Sequence, residues 1–148
     1  MSTTHVSASR VIAAEPQVLF DLVADPTMHA VIDGSESVRG TRGGSRKLGP
    51  GDRFTTSMRI GVPYLISNRV VEYDEGRRIA WAHLGRWRWR WEFEEVEGGT
   101  KVTETFDWSN SPAKPYVTFA GWPARNRSNI LQTLERLDAY VTNKHSAT

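Results

Sequence analysis

Three groups of side chains in this sequence carry chemistry by type and spacing. Glu104 sits in the run Thr103-Glu104-Thr105-Phe106-Asp107-Trp108, where strand alternation puts it on one face with Phe106 and Trp108. A carboxyl group there is costly unless paired, hydrogen-bonded or protonated, and a raised pKa would let it act as an acid. His83 alternates with Ile79 and Trp81 in a second run, and Asn68 with Tyr64, Ile66 and Val70 in a third. A histidine or protonated carboxyl there could move protons while Asn68 or Tyr64 holds a carbonyl. The same groups would equally serve to position a ligand or to satisfy polar positions of a core. His29 and Asp33 stand four residues apart, so on a helix the carboxylate could orient the imidazole as a general base. The competing reading makes Asp33 a helix-end cap beside Gly34 with His29 exposed. Glu104, His83 and His29 are thus the catalytic candidates.

Other chemistries find no support. The absence of cysteine removes disulfides, thiolate metal sites and cysteine nucleophiles. His5, His29, His83 and His145 show no metal-ligand spacing, so no metal and no cofactor is expected. Ser35, Ser45 and Ser109 lack the context of an activated serine. Gly40, Gly43 and Gly44 fall between strands, which does not make the helix start that cradles a phosphate.

The elements that position these residues follow from periodicity and punctuation. A first strand fits within His5 to Ala14; Glu15-Pro16 opens a helix carrying Val18, Leu19, Leu22 and Val23, and Asp25-Pro26 stops it. A second short helix fits Pro26 to Ile32. Glycine-rich turns then separate six runs: Ser37–Arg42, Arg53–Ile60, Leu65–Tyr73, Arg78–Leu84, Arg86–Val96 and Thr100–Trp108. Such spacing describes an antiparallel meander. Ile130, Leu131, Leu134, Leu137 and Val141 recur at helical intervals, predicting a long helix from about Trp122 to Asn143. The 148 residues make one domain, with an ordered core expected over about 5–143. No run approaches the roughly 20 apolar residues of a membrane span, and Met1 to Arg10 lacks a signal-peptide core. A cytoplasmic protein is expected.

Composition raises one rival idea. Arginine and tryptophan alternate from Arg86 to Trp91, a string that suits nucleic acid or a membrane surface. In a strand, however, Trp87, Trp89, Trp91 and Phe93 share one face, and Arg88, Arg90, Glu92 and Glu94 take the other. Taking Gly98-Gly99 as a two-residue hairpin loop sets Phe93 opposite Glu104, Trp91 opposite Phe106, Trp89 opposite Trp108 and Arg90 opposite Asp107. The outer face becomes a lattice of paired charges, and a nucleic-acid partner is not expected. The inner face gathers Met58, Tyr64, Asn68, Trp81, Trp89 and Trp91 with Phe93, Phe106 and Trp108. Phe119 and Trp122 stand near the start of the last helix, where they would rim a cavity mouth or anchor the helix. Aromatic walls with sparse polar groups fit a small-molecule pocket, or else a packed core with one satisfied polar pair.

The order of elements resembles the START/Bet v 1-like (SRPBCC) superfamily, and within it the polyketide cyclase/dehydrase-type proteins of bacteria. The residues that carry the likeness are Ala14-Glu15-Pro16, Asp25-Pro26 with His29, and Ile32-Asp33-Gly34-Ser35. Further along they are Arg78-Ile79-Ala80-Trp81, Gly98-Gly99-Thr100-Lys101-Val102-Thr103-Glu104 running to Asp107-Trp108-Ser109, and Leu134-Glu135-Arg136-Leu137. The resemblance implies an α+β helix-grip fold, a curved sheet of about seven strands wrapped around the C-terminal helix with a cavity between. It implies a hydrophobic small-molecule ligand, such as a lipid, polyketide or aromatic metabolite. A cofactor-independent cyclase/dehydratase is the alternative, and a protein-interaction module using the arginine-studded face is a third. A monomer or homodimer is expected. Fold alone does not choose among these.

Overall fold

The computed structural model describes residues 4–33, 38–41, 45–60, 62–83, 87–109 and 122–146. Strand β1 (His5–Ile12) leads into helix α1 (Pro16–Val23), whose proline sits where no intrahelical N–H is needed. Asp25 then caps a single 3-10 turn, Pro26–Met28, its carboxylate accepting from the Thr27 N–H at 3.0 Å and the Thr27 hydroxyl at 2.8 Å. Helix α2 (His29–Ile32) follows directly. Six strands come next: β2 (Val38–Thr41), β3 (Arg53–Ile60), β4 (Val62–Asp74), β5 (Arg78–Ala82), β6 (Arg88–Val96) and β7 (Gly99–Asp107). Helix α3 (Trp122–Ser146) ends the described chain.

All pairings are antiparallel, and the sheet order is β1-β7-β6-β5-β4-β3-β2. Strand β4 begins at Val62, before the expected Leu65, and takes in Pro63 opposite Arg59. Proline is tolerated there because the described ladder with β5 starts only at Arg69. The expected hairpin turn Leu84-Gly85-Arg86 lies outside the described residues.

The β6–β7 register differs from expectation by two residues. Trp91, not Phe93, stands opposite Glu104; Trp89 faces Phe106, and Arg88 rather than Arg90 faces Asp107. The turn residues are Glu97 and Gly98, with Gly98 at φ 88° and Val96 paired to Gly99. Gly99 opens the strand at φ 147°, and a Cβ on it would lie 2.1 Å from the Ile12 carbonyl oxygen. The close approach of β1 therefore leaves no room for a side chain at Gly99. A shift of two preserves both faces, so the aromatic side still points inward, and Arg90 still reaches Asp107 diagonally at 3.1 Å.

The interior is closed from two sides. Helix α1 sends Leu19, Phe20 and Val23 inward, and the Phe20 ring meets Tyr73 and Phe93 edge-on at 5.6 and 5.7 Å. Helix α3 lays Ile130, Leu134, Leu137 and Val141, all buried, toward β1, β7 and α2. Arg10 of β1 holds Asp138 at 2.7 Å, and Arg136 donates to the Asp33 carbonyl at 2.8 Å. On the outer face Glu72 accepts from Arg88 and from both nitrogens of an Arg90 fork, at 2.7–2.9 Å.

Candidate functional site

Trp91 and Glu104 are cross-strand partners at the centre of the inner face, 2% and 6% exposed. Each has a buried polar atom with no hydrogen-bond partner among the described residues: the indole Nε1 of Trp91 and Oε1 of Glu104. On its other side Glu104 pairs with Ala8, whose methyl group supplies no polar neighbour. Burial pushes the Glu104 carboxyl well above the usual carboxylate range, and the charge of Asp33 pushes the same way. The neutral acid is thus the favoured form, and it offers an O–H as well as a carbonyl oxygen.

His29 is buried, not exposed, and it is not oriented by Asp33. Its Nε2–H donates to the Val23 carbonyl at 2.9 Å, which leaves Nδ1 as the lone-pair nitrogen of a neutral ring. The ring stacks on Trp81 (4.6 Å, 22°) and meets Phe54 edge-on at 5.4 Å. Burial lowers its pKa. Asp33 instead accepts from the Val38 N–H at 2.9 Å, tying the end of α2 to β2. Both sequence readings of this pair are corrected in part: Asp33 serves the backbone, but its histidine belongs to an aromatic cluster. Helix α2 is a single turn, and the rings of Phe54 and Trp81 from β3 and β5 pack against its His29.

His83 packs edge-on against Trp87 at 4.4 Å, and burial lowers its pKa as well. Trp89 and Trp108 flank Phe106 at 4.9 and 5.5 Å, and Trp91 lies parallel to Phe93 at 6.4 Å. Trp81 joins the His29 cluster, and Met58 is half-buried. Asn68 is buried and spends its amide on the Thr56 hydroxyl at 3.0 Å, a partner the sequence reading did not name. Tyr64 is the outlier, 36% exposed on the outlying part of β4. Phe119 lies outside the described residues, and Trp122 is the first residue of α3. Among the described residues no three histidines or carboxylates gather as metal ligands, and no helix is long and apolar enough to cross a membrane.

Sequence reasoning placed Glu104 among aromatics but missed the matching indole N–H. The alternation around Trp91 carried the signal for its face; its partner depended on the hairpin register.

A curved antiparallel sheet, short helices after the first strand and a C-terminal helix laid over it define a helix-grip domain. Residues 3–142 match the family described as polyketide cyclase / dehydrase and lipid transport, and the chain belongs to that family. The protein Rv0088 of Mycobacterium tuberculosis is 38% identical over 146 residues; the match covers 93% of this chain and 64% of that protein, so the chain spans less than two thirds of its length. Three solved structures share the fold. The AHSA1-like protein of Aeromonas hydrophila has a TM-score of 0.65 at 21% identity, covering 95% of this chain and 94% of that one. Protein Ms6760 of Mycobacterium smegmatis gives 0.69 at 21%, covering 97% and 94%, and KanY protein (ms6282) gives 0.72 at 17%, covering 96% and 99%.

Proposed function

We propose that the chain is a cytoplasmic binding protein for a hydrophobic small molecule, of the lipid, polyketide or aromatic-metabolite class, held between the sheet and α3. One observation carries this reading: two unpartnered buried polar atoms, on directly opposed residues, inside a wall of aromatic rings. A buried N–H or carboxyl left unmade costs about 1–3 kcal/mol, which an incoming acceptor oxygen returns. The family description, which includes lipid transport, is consistent with such cargo. Native mass spectrometry of the purified chain should find a co-purified apolar molecule. Titration with Prodan, a neutral naphthyl ketone that fluoresces in apolar sites, should saturate. Trp91→Phe and Glu104→Leu should each weaken it about 5- to 30-fold. No saturable binding, or binding unchanged in both variants, would overturn the reading.

A second reading rests on a different pair. Glu104 favours its acid form and His29 its neutral, basic form, both within the interior. That combination suits cofactor-independent cyclisation or dehydration, with Glu104 as acid and His29 as base. With a short poly-β-ketone substrate, Glu104→Gln should abolish turnover while the substrate still binds. A carrier would show altered affinity and no turnover in either form.

A further inference from the structure

One row of the register crosses five strands as Arg53, Arg69, Ala82, Arg88 and Asp107. The row lies on the outer face, since the neighbouring Phe54, Asn68, Trp81, Trp89 and Phe106 point inward. Arg53 and Arg69 stand directly opposite each other, and like charges so placed work against the ladder. Among the described residues no carboxylate pairs with either guanidinium, whereas Arg78, Arg88 and Arg90 all reach Glu72. Asp52, adjacent in sequence, is spent on the Gly49 N–H at 2.7 Å. Ala82 supplies no bulk between Arg69 and Arg88. A groove of about 810 Å³ opens here, lined by the three arginines with Leu65, Ser67 and Val71 among others. Leu65 is 50% exposed, and Val71, lifted by the bulge between Val70 and Glu72, is 40% exposed.

We propose that this groove binds the phosphate of a small amphiphilic phosphate ester, its oxygens forked by Arg53 and Arg69 and its alkyl part lying along Leu65 and Val71. Guanidinium forks match phosphate oxygens two at a time. A phosphate monoester carries about −1.5 to −2 charges at neutral pH, close to the combined charge of the two facing guanidiniums, which no carboxylate among the described residues offsets. An incoming dianion also relieves the repulsion between them. The carboxylates of Glu72, farther along β4, and Asp107, on β7, bound the positive zone, which favours a compact anion over an extended polyanion.

Calorimetric titration of the full chain with octyl phosphate, inorganic phosphate and octanol tests this. Octyl phosphate should bind most tightly, and its affinity should fall with added salt. Arg53→Gln and Arg69→Gln should each weaken it about tenfold or more, while Arg125→Gln, an exposed residue of α3, should change nothing. Both groove variants should keep or raise the melting temperature, because each removes a like-charge neighbour. Binding unchanged in both variants, or equal affinity for inorganic phosphate, overturns the proposal. So does a preference for phosphatidylglycerol vesicles or a single-stranded oligonucleotide with octyl phosphate ignored.

Discussion

The His29 ring lies nearly flat on Trp81, with 4.6 Å between ring centroids and 22° between planes, while its Nε2–H is held by the Val23 carbonyl. The contact joins the short α2 turn to the middle of the sheet, and burial there favours the uncharged imidazole. Burial lowers the folded pKa below the ordinary 6.5. The unfolded chain therefore binds the extra proton first as pH falls. His29's stabilising contribution is full above about pH 6.5 and is lost progressively below it. His29→Phe keeps a ring on Trp81 and removes the titration. The variant's denaturation midpoint should fall less between pH 7.5 and 5 than the parent's; parallel profiles would contradict the assignment.

Glu104 acts with the opposite sign. Its folded pKa is raised well above the ordinary 4.5, so the folded state holds a proton that the unfolded state releases. Stability from this group is full below about pH 4.5 and declines as pH rises toward the folded pKa. Each pH unit in that window costs about 1.4 kcal/mol. Glu104→Gln mimics the neutral acid and should gain on the parent chain as pH rises above about 4.5 toward the raised folded pKa, as urea titrations would show. A constant difference would mean that Glu104 ionises without penalty.

The hairpin glycines separate conformational strain from steric collision. Gly98 has positive φ, but a methyl group added there would meet nothing within 4 Å, whereas one added at Gly99 collides with the Ile12 carbonyl oxygen. Gly98→Ala should cost about 1 kcal/mol, as for a left-handed residue. Gly99→Ala should cost about 3 kcal/mol or more, because backbone must move. Thermal unfolding of the two variants compares them directly, and equal losses would exclude the close approach of β1 as the cause.

Glu72 is the hub of the outer charges, 17% exposed and bonded to both Arg88 and Arg90. The Arg90 hydrogen bonds lead in lowering its pKa, working against burial, and Arg88 adds to them. Its contribution is present above about pH 4.5 and lost as pH falls through the lowered folded value. Glu72→Gln should cost about 1–2 kcal/mol at pH 7, discounted for partial exposure. The gap from the parent should close in acid, which guanidine titrations at pH 7 and pH 3 would measure.

How much of this was readable in advance depends on what kind of pattern each feature leaves. Strand faces were legible because side chains alternate with period two, so Trp91, Phe106 and Glu104 were placed inward correctly. Register was not, since a slip of two leaves every face intact, and the seat of Gly99 in the ladder beside Ile12 leaves no periodicity to read. The burial of His29 was hidden because Phe54 and Trp81 come from strands far along the chain. Glu104's aromatic setting could be read, but the missing partner could not: an absent hydrogen bond has no spacing. The facing of Arg53 and Arg69 depends on the β3–β4 ladder, which two isolated arginines do not announce.

The pairing of β1 with β7 has a consequence in time. Among the described residues the sheet's earliest strand in sequence, β1, pairs only with its latest, β7, with His5 opposite Asp107. During synthesis β1 must wait, unpaired, for about a hundred residues to follow, while the β3–β7 hairpins can each zip locally as they emerge. Docking β1 late also brings Arg10 to Asp138 and the Ile12 carbonyl against Gly99. The N-terminal strand thus acts as the closing step of assembly, and the slow non-local search it requires should limit the folding rate.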